Sequence, residues 1–349
     1  MEGDKERESV LSRLGEMLDS MGESKITLIG DVMLDRFHHG YANNLDSTAP
    51  VPVLKIMRTE ETPGAAAHIA MGLRSLGMQV SLHCCVGDDR EGETIVSKLN
   101  EHGISTNSIY SVANRNTLTK IRFYGSRESL LDESQILLQA DRGPRDLLSD
   151  DVRESIANGA IAEISDSSAV VLSDYDKGVL DIHTSLKLIS SAKKAGLPVI
   201  ADPKLTGLDR SEGADVVLFE NRGLNLLSRR QGTTDQARAA ATLISQYNWG
   251  ALVVLRGTEG VTLYRGDEDP FHIPCLSPSA VQQIGLHDAA ATALAAALGN
   301  GMSIIEATTL AAAACDCILA AEASREFVDR ETLRLWIDEL YWQLRISDR

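Results

Sequence analysis

One stretch of this sequence combines a loop glycine with a carboxylate at the start of a helix. In residues 281–301, VQQIGLHDAAATALAAALGNG, Gly285 precedes Asp288, which falls on the first turn of a predicted alanine-rich helix. The N–H groups of a first helical turn attract phosphate, and phosphoryl transfer also needs an activated hydroxyl. The stretch therefore raises phosphoryl transfer as a hypothesis. An aspartate that only complements the helix dipole is the alternative.

Carboxylates also recur at the ends of predicted strands. Asp31, Asp174 and Asp202 each follow an apolar run that reads as a strand. Ligands of open parallel sheets bind at the carboxyl ends of strands, where loops meet helix N-termini. Taken alone, each aspartate is more simply a solvated or capping residue. Their recurrence at one edge, together with Asp288, favours a cleft for a polar ligand.

These side chains need a scaffold, and the sequence predicts one of alternating strands and helices. Apolar runs bounded by glycine or polar turns alternate with helical patterns, which is typical of stacked β-α-β units around a mainly parallel sheet. The predicted strands are residues 25–31, 79–87, 167–174, 198–204, 214–221 and 251–257, and the predicted helices are residues 65–77, 91–103, 184–196 and 234–248.

Two stretches break this alternation. In residues 51–64 and 116–141, β-branched and aromatic residues alternate with polar ones. Such alternation indicates strands with one covered face and one open face. We expect a small antiparallel sheet that projects beside a cleft as a lid, with lid segments at about 36–62 and 112–141.

Composition and charge exclude several classes of function. The chain has 349 residues and a formal net charge of −16, with acidic and basic residues interspersed. We therefore expect neither nucleic acid nor a membrane as a partner, whereas a local basic pocket for an anionic ligand is still compatible with this charge.

Five cysteines without C-x-x-C spacing indicate neither a zinc site nor a disulfide framework. The first residues lack the apolar core of a signal peptide, and no run is long enough to span a bilayer, so we expect a cytoplasmic location.

Five motifs, in order, resemble the ribokinase, or PfkB, family of carbohydrate kinases. They are GDVMLDRFHHG at 30–40, TAPVPVLKI at 48–56, PGAAAHIAMGLRSLG at 63–77, VLSDYDKG at 171–178 and ADPK at 201–204. Within the family the chain looks most like the kinases of D-glycero-D-manno-heptose 7-phosphate, in the kinase domain alone.

The resemblance covers residues 26–337 and implies a fold. It implies an α/β, three-layer ribokinase-like fold, with a mainly parallel central sheet flanked by helices and a small β-sheet lid. The kinase domain would occupy residues 25–345 after an N-terminal helical extension at residues 1–24.

The resemblance also implies substrate-binding residues. Asp31 matches the aspartate that hydrogen-bonds sugar hydroxyls, and Asp35 is its companion in the same motif. A carboxylate that accepts hydroxyl protons makes a strong, directional contact. Gly64 matches a glycine that lets the backbone approach the sugar, and the second glycine of that pair is Ala65 here. Asp174 joins the predicted substrate site by its place at a strand end.

Three further predicted substrate-binding residues leave alternatives open. His68 stands where most relatives carry an asparagine, which predicts either an altered sugar preference or a disused sugar pocket. Lys120 and Arg122 lie in the motif TLTKIR of the lid region. They would either meet a substrate phosphate or lie on an exposed strand face.

The family's catalytic loop reads aspartate, any residue, threonine, glycine, alanine, glycine, aspartate. Aligned on its last position, this chain keeps Gly285 and Asp288, and it departs from the pattern at Gln282, Ile284, Leu286 and His287. The resemblance implies that Asp288 is the base and that Gly285, with the N–H groups of Leu286, His287 and Asp288, forms the anion hole. A positive φ at His287 would cost about 1–2 kcal/mol.

The nucleotide side of the expected site is partly kept. Asn221 matches the first residue of a motif, asparagine, two residues, glutamate, that organises magnesium and phosphate through water. Leu224 replaces the glutamate, and leucine cannot hold a hydrated cation. Gly257 and Gly260 match the nucleotide-binding turn. The expected cofactors are ATP and Mg²⁺, which arrives with the nucleotide and has no direct protein ligand.

The sequence thus favours ATP-dependent phosphorylation of a sugar or sugar phosphate, with a heptose 7-phosphate as the nearest family substrate. The alternative is a catalytically impaired member of the family, with a binding or assembly role, because several loop positions depart from the pattern. The family resemblance also implies a homodimer through the lid.

Overall fold

The computed structural model describes residues 2–22, 24–126, 135–277, 284–321 and 328–347. Gln282, one of the positions compared above, lies outside these residues.

Most strands belong to one large sheet. They are β1 Lys25–Gly30, β4 Gln79–Gly87, β5 Ile109–Val112, β8 Ala169–Asp174, β9 Val199–Pro203, β10 Val216–Glu220, β11 Ala251–Leu255, β12 Val261–Tyr264 and β13 Phe271–Ile273. The order across this main sheet is β13-β12-β11-β10-β9-β8-β1-β4-β5. Neighbours are parallel from β5 to β11, and β12 and β13 continue the sheet antiparallel. The predicted α/β fold with a mainly parallel sheet is confirmed.

Helices cover both faces of the main sheet. They are α1 Glu2–Ser20, α2 Ala66–Ser75, α3 Arg90–Glu101, α4 Asp150–Glu163, α5 Ile182–Lys194, α6 Asn221–Arg230, α7 Gln236–Gln246, α8 Leu286–Gly299, α9 Ile304–Ala320 and α10 Arg330–Ser347. One core packs the sheet against α1, α2, α3, α8, α9 and α10. The other packs it against α4, α5, α6 and α7. Strands such as β8, β9 and β11 are buried at every residue, which explains their mainly apolar sequences.

A second, small sheet stands beside the main one. Its strands are β2 Val32–Leu45, β3 Pro52–Ala65, β6 Thr119–Ser126 and β7 Gln135–Arg142, in the order β3-β2-β6-β7. The outer pairs are antiparallel, but β2 and β6 are parallel. The prediction of an antiparallel sheet is therefore wrong for the central pair. Alternation in sequence shows which face is covered, but it carries no information on strand direction.

Aromatic rings join the two central strands of the small sheet. His38 stacks on Phe123 with ring centroids 4.9 Å apart, and His39 stacks on Tyr124 at 5.0 Å. Both pairs are direct register partners between β2 and β6. Such cross-strand pairs stabilise a sheet and fix its register.

The first helix packs into the body of the protein. Leu11, Leu14 and Leu18 of α1 are buried in the same core as α9 and α10. Arg13 forms an ion pair with Glu306, and Glu306 also accepts the backbone N–H of Ser303 at the start of α9. Within the described residues, no helix is both long enough and apolar enough to cross a membrane.

Candidate active site

The N-terminus of α8 has an open glycine turn. Gly285, the residue before the first helical residue Leu286, has φ 88° and ψ 3°, and it offers no side chain to cap the helix. This left-handed conformation favours glycine. His287 is the second residue of α8. The positive φ therefore falls at Gly285, and His287 does not incur the energetic cost of a left-handed conformation. The first N–H groups of a helix have no acceptor within the helix, so they are available to an anion.

Asp288 lies in the first turn of α8 with its side chain buried. Its side chain is 9% exposed, and its Oδ2 lies 3.3 Å from Nδ1 of His68. Its Oδ1 is buried and has no hydrogen-bond partner among the described residues. A buried carboxylate oxygen without a partner is costly unless something fills the position. Oδ1 is therefore the atom that can accept a proton from a ligand.

His68 of α2 covers this turn from the other side. A Cβ atom on Gly285 would lie 3.1 Å from Cε1 of the His68 ring, so the glycine also permits close packing of the imidazole. His68, for which the sequence left two alternatives open, thus contacts Asp288, the carboxylate predicted to be the base. An imidazole beside Asp288 can position that carboxylate through a hydrogen bond.

His287 lies between two carboxylates at the ends of neighbouring strands. Its Nδ1 is 2.9 Å from Oδ1 of Asp202, the next-to-last residue of β9, and its Nε2 is 3.4 Å from Oε1 of Glu220, the last residue of β10. Burial favours the neutral ring, but Asp202 and then Glu220 outweigh it and raise the pKa of His287 to about 10. In turn, His287 lowers the pKa of Glu220 below its ordinary value.

Asp35 and Arg122 form a buried ion pair between β2 and β6. Nη1 of Arg122 lies 2.6 Å from Oδ1 of Asp35, and both side chains are about 10% exposed or less. Burial raises the pKa of Asp35 above its ordinary value, although Arg122 acts in the opposite direction. A Cβ atom on Gly64 would lie only 2.2 Å from Oδ2 of Asp35. Gly64 therefore makes room for this carboxylate, and Arg122 is neither on an exposed face nor unpaired.

Asp31 holds a loop of the main domain. Its carboxylate accepts the backbone N–H groups of Tyr175 and Lys177 at 3.0 Å and of Val179 at 3.2 Å. Burial, the largest influence, raises the pKa of Asp31 to about 6 despite these hydrogen bonds. This contact fixes the loop after β8. A sugar-binding role for Asp31 stays a prediction.

Asp174 is bound to a different partner. Nε of Arg210 lies 2.5 Å from its Oδ2, and the N–H of Asp176 donates to its Oδ1 at 2.9 Å. Burial raises the pKa of Asp174, whereas Arg210 lowers it. Both carboxylate oxygens are therefore engaged by the protein, and its predicted role in substrate binding is not tested by these contacts.

Lysines line a cleft between the small sheet and the main sheet. We name it the lysine cleft, after Lys120, Lys177 and Lys204, and its volume is about 430 Å³. Nζ of Lys204 lies 3.9 Å from the ring centroid of Tyr175, and that of Lys120 lies at 5.9 Å. Burial, followed by the charges of Asp288 and Asp202, raises the pKa of Tyr175 well above its ordinary value. The ring thus contacts the lysines, and it feels the negative charge of two carboxylates of the site.

The nucleotide-side residues form their own network. Oδ1 of Asn221 accepts from Nε2 of Gln236 at 2.7 Å and from Nη1 of Arg256 at 3.1 Å. Arg256 also donates to Tyr264 at 2.8 Å. Leu224 is fully buried in the core below α6. The first residue of the predicted magnesium motif is thus engaged by side chains, and the last one points into the core.

The predicted nucleotide glycines shape the turn between β11 and β12. Gly257 has φ 59° and Gly260 has φ 98°. A Cβ atom on Gly260 would lie 2.0 Å from the carbonyl oxygen of Ile273, whereas one on Gly257 would meet nothing within 4 Å. Gly260 is therefore required by packing. Gly257 leaves an open backbone at the end of the strand.

The two expected cofactors fit this site to different degrees. Within the described part of the chain, the turn at Gly285 has no side-chain cap and Oδ1 of Asp288 has no partner, and both fit a transferring phosphate beside a proton acceptor. The magnesium-organising motif does not fit, because Leu224 is buried and Asn221 accepts three side-chain hydrogen bonds. Across the described ranges, no group of three or more His, Cys, Asp and Glu side chains could hold a metal ion.

The structure brings part of the predicted set together. Asp288, Gly285, His68 and His287 meet at the start of α8, and Asp35, Gly64 and Arg122 meet at the base of the small sheet. Sequence reasoning did not assign roles to Tyr175, Lys204 or Glu220. Tyr175 directly follows a predicted strand, and Lys204 and Glu220 lie in the last two positions of predicted strands, so the strand-end rule applied to every residue type would have found them.

Solved structures share this architecture. The ribokinase of Arabidopsis thaliana complexed with ribose and ATP aligns with a TM-score of 0.68 and 20% identity, over 91% of this chain and 99% of that chain. Phosphofructokinase-2 from Escherichia coli in complex with substrates and products aligns with a TM-score of 0.71 and 19% identity, over 92% and 99%. These likenesses show a ribokinase-like fold.

The sequence profile of the pfkB family carbohydrate kinases matches residues 23–329. The chain belongs to this family, whose members phosphorylate sugars and sugar phosphates with ATP and a divalent metal. The predicted family is confirmed.

Curated relatives are longer than this chain. The bifunctional protein HldE of Actinobacillus pleuropneumoniae is 32% identical over 297 residues, which is 85% of this chain and 60% of that protein. The bifunctional protein HldE of Paramagnetospirillum magneticum is 32% identical over 311 residues, or 88% and 62%. The chain therefore spans about 60% of the length of these relatives.

Proposed function

We propose that this protein transfers the γ-phosphoryl group of ATP to a hydroxyl of a sugar phosphate, with a heptose 7-phosphate as the favoured substrate. The observation that carries the proposal is the buried carboxylate of Asp288 at the N-terminus of α8, where, among the described residues, the helix has no side-chain cap and Oδ1 has no hydrogen-bond partner. Family membership and the resemblance to heptose 7-phosphate kinases support the choice of substrate.

The chemical step uses two parts of the α8 N-terminus. Oδ1 of Asp288 takes the proton of the substrate hydroxyl. The hydroxyl oxygen then bonds to the γ-phosphorus of ATP, and the bond between this phosphorus and the departing ADP oxygen breaks. The N–H groups of Leu286, His287 and Asp288 stabilise the charge on the transferring group. His68 orients Asp288 through the 3.3 Å contact to its other oxygen.

Substrate binding involves the small sheet and the lysine cleft. Asp35, held by Arg122, accepts sugar hydroxyls, and Gly64 leaves the room this contact needs. Lys120 and Lys204 attract the phosphate that the sugar already carries, because ammonium groups in a narrow cleft concentrate an anion. We further propose that the small sheet closes over the bound sugar as a lid.

The proposal is tested by measuring ADP release with ATP, Mg²⁺ and a panel containing heptose 7-phosphate, heptose and fructose 6-phosphate. We expect turnover with a sugar phosphate and a higher KM for the sugar without its phosphate. Asp288→Asn should lower kcat by about 10²–10⁴-fold, since it removes the base.

The matched control is Asp151→Asn, which changes an exposed aspartate in the first turn of α4. This variant loses the same helix-dipole interaction but touches no proposed site, so its turnover should equal that of the unmodified protein. Full turnover of Asp288→Asn would remove the proposed base.

A catalytically silent role in binding or assembly is the second candidate. The observation that favours it is the magnesium motif, in which Leu224 lies in the core and Asn221 is engaged by Arg256 and Gln236. Calorimetry with ATP and Mg²⁺ separates the two candidates. Absence of binding at millimolar nucleotide would favour the silent role, and magnesium-dependent binding would favour the kinase.

A further inference from the structure

Two carboxylates face the same position in front of α8. Asp202 is the next-to-last residue of β9 and Glu220 is the last residue of the adjacent parallel strand β10, and both lie within 3.4 Å of the ring of His287. The side chain of Asp202 is 1% exposed. Its Oδ2 has no hydrogen-bond partner within the part of the chain that the structure describes. Together the buried carboxylate of Asp202 and the exposed carboxylate of Glu220, whose side chain is 64% exposed, are oxygen ligands of the kind that a hard divalent cation binds.

The ring of His287 occupies that position. Each of its nitrogens faces a carboxylate oxygen, so both nitrogens must carry a proton for both contacts to be favourable. A cation in the first turn of a helix is unfavourable with respect to the helix dipole. The carboxylates must therefore compensate for a charge that the helix alone would reject. Lys204 also acts on the ring, in the direction of the neutral form.

The loss of the magnesium motif occurs in the same protein. Leu224, fully buried, stands where the family pattern has a glutamate, and His287 stands where it has a glycine. One change removes a group that organises a divalent cation, and the other inserts an organic cation between two acidic strand ends. We propose that the imidazole of His287 takes the place of a divalent cation between Asp202 and Glu220, so that this position binds no metal of its own.

A consequence, which rests on the proposed kinase function, is that magnesium reaches the reaction only as the nucleotide complex. The inference itself concerns the protein without nucleotide and is tested without any assay of activity. Its failure is therefore distinguishable from failure of the kinase proposal.

The experiment titrates the full chain, free of nucleotide, with Mn²⁺ and follows binding by electron paramagnetic resonance of the free ion. The unmodified protein should show no binding at this position. His287→Ala frees both carboxylates from the ring and should bind Mn²⁺ at least about tenfold more tightly, since it removes a unit charge in contact with them. His287→Lys restores a cation and should again bind no Mn²⁺.

Two further variants locate the effect. Adding Asp202→Asn to His287→Ala should abolish the gained binding, whereas His83→Ala, at a buried histidine of β4 bonded to Ser81, should gain none. Circular dichroism melts show which variants fold, and His287→Gln replaces His287→Ala if the latter does not. Mn²⁺ binding by the unmodified protein that depends on Asp202 would overturn the inference, as would a folded His287→Ala or His287→Gln that gains no binding.

Discussion

Ala65 holds a backbone conformation that favours glycine. Its φ is 56° and its ψ is −130°, at the junction between β3 and α2. A residue with a Cβ atom in such a region costs about 1–3 kcal/mol. The N–H of the next residue, Ala66, donates to the carbonyl oxygen of Asp31 at 3.1 Å. The junction therefore ties the substrate side of the small sheet to the first strand, and the strain lies within the candidate site.

Replacement of Ala65 by glycine tests this strain. Ala65→Gly relieves it but removes a buried methyl group, worth about 0.8 kcal/mol. Ala67→Gly, at a fully buried position inside α2, loses a methyl group and about 1 kcal/mol of helix propensity without relief. We expect Ala65→Gly to unfold in urea with a free energy at least about 2 kcal/mol higher than that of Ala67→Gly, because relief of strain adds about 1–3 kcal/mol to a helix-propensity difference of about 1 kcal/mol. A difference of only about 1 kcal/mol, which helix propensity alone gives, would show that the positive φ carries no strain.

The charge of His287 predicts a pH dependence of stability. The ordinary pKa of histidine is 6.5, and the folded protein raises it to about 10. The raised value means that the ion pairs contribute fully below pH 6.5 and that their contribution is lost as the pH rises towards 10. The unfolding free energy of the unmodified protein, relative to His287→Gln, should fall over this window by at most about 1.4 kcal/mol per pH unit.

Urea unfolding of both proteins at pH 7 and pH 9.5 provides the measurement. Subtraction of the variant removes the titration of other groups in this range. A difference that stays constant between the two pH values would contradict a charged His287.

The sequence predicted the role of a residue where a local sequence pattern determines that role. Gly285 and Asp288 follow from a loop pattern read directly along the chain. The pairing of Asp35 with Arg122 was not predicted, because it depends on the parallel register of β2 and β6. The contact of His287 with Asp202 was also not predicted, since it joins residues 85 positions apart. Such contacts are properties of the folded sheet, not of local sequence.

At the scale of elements, α1 packs as part of the main core. Leu14 is fully buried, together with Leu18, against the helices that cover one face of the main sheet. Truncation of the Leu14 side chain leaves a cavity between α1 and the helices packed against it. Leu14→Ala should therefore lower the free energy of unfolding by about 2–5 kcal/mol.

The control for α1 is Leu335→Ala on α10, where the side chain is 64% exposed. That variant should stay within about 0.5 kcal/mol of the unmodified protein. Chemical unfolding followed by circular dichroism gives both values. An unfolding free energy of Leu14→Ala equal to that of the control would show that residues 1–24 are a dispensable extension.

The order and type of the main elements were predictable because each strand is an apolar run ending in a turn. The residues 198–204 were read as a strand, and the structure has β9 at Val199–Pro203. The direction of β6 was not predictable in this way. Strands β1 and β5 run in the same direction in the main sheet. Because β2 follows β1 and β6 follows β5, the two strands enter the small sheet in the same direction.

At the scale of the whole molecule, local and overall charge differ in sign. The chain carries a formal net charge of −16, yet three lysines line the cleft beside the candidate site. The acidic surface disfavours nucleic acid, and the cleft still attracts a small anion because nearby charges dominate at contact distance.

The far end of the small sheet exposes apolar side chains on its two edge strands. Ile56 and Met57 of β3 are 47% and 58% exposed, and Leu138 of β7 is 58% exposed. Edge strands with exposed apolar side chains favour association, because they offer both unpaired backbone groups and surface that water solvates poorly. The family resemblance points to the lid as the contact, so we expect a homodimer through this end of the sheet.

Sedimentation velocity should therefore give twice the mass of the chain. Met57→Glu combined with Leu138→Glu places charges in the contact and should shift the protein towards the monomer. Leu335→Glu introduces the same charge at an equally exposed leucine on α10, and it should leave the dimer intact. A dimer that survives the first pair of substitutions and dissociates with the second would move the interface from the small sheet to the helical face around α10.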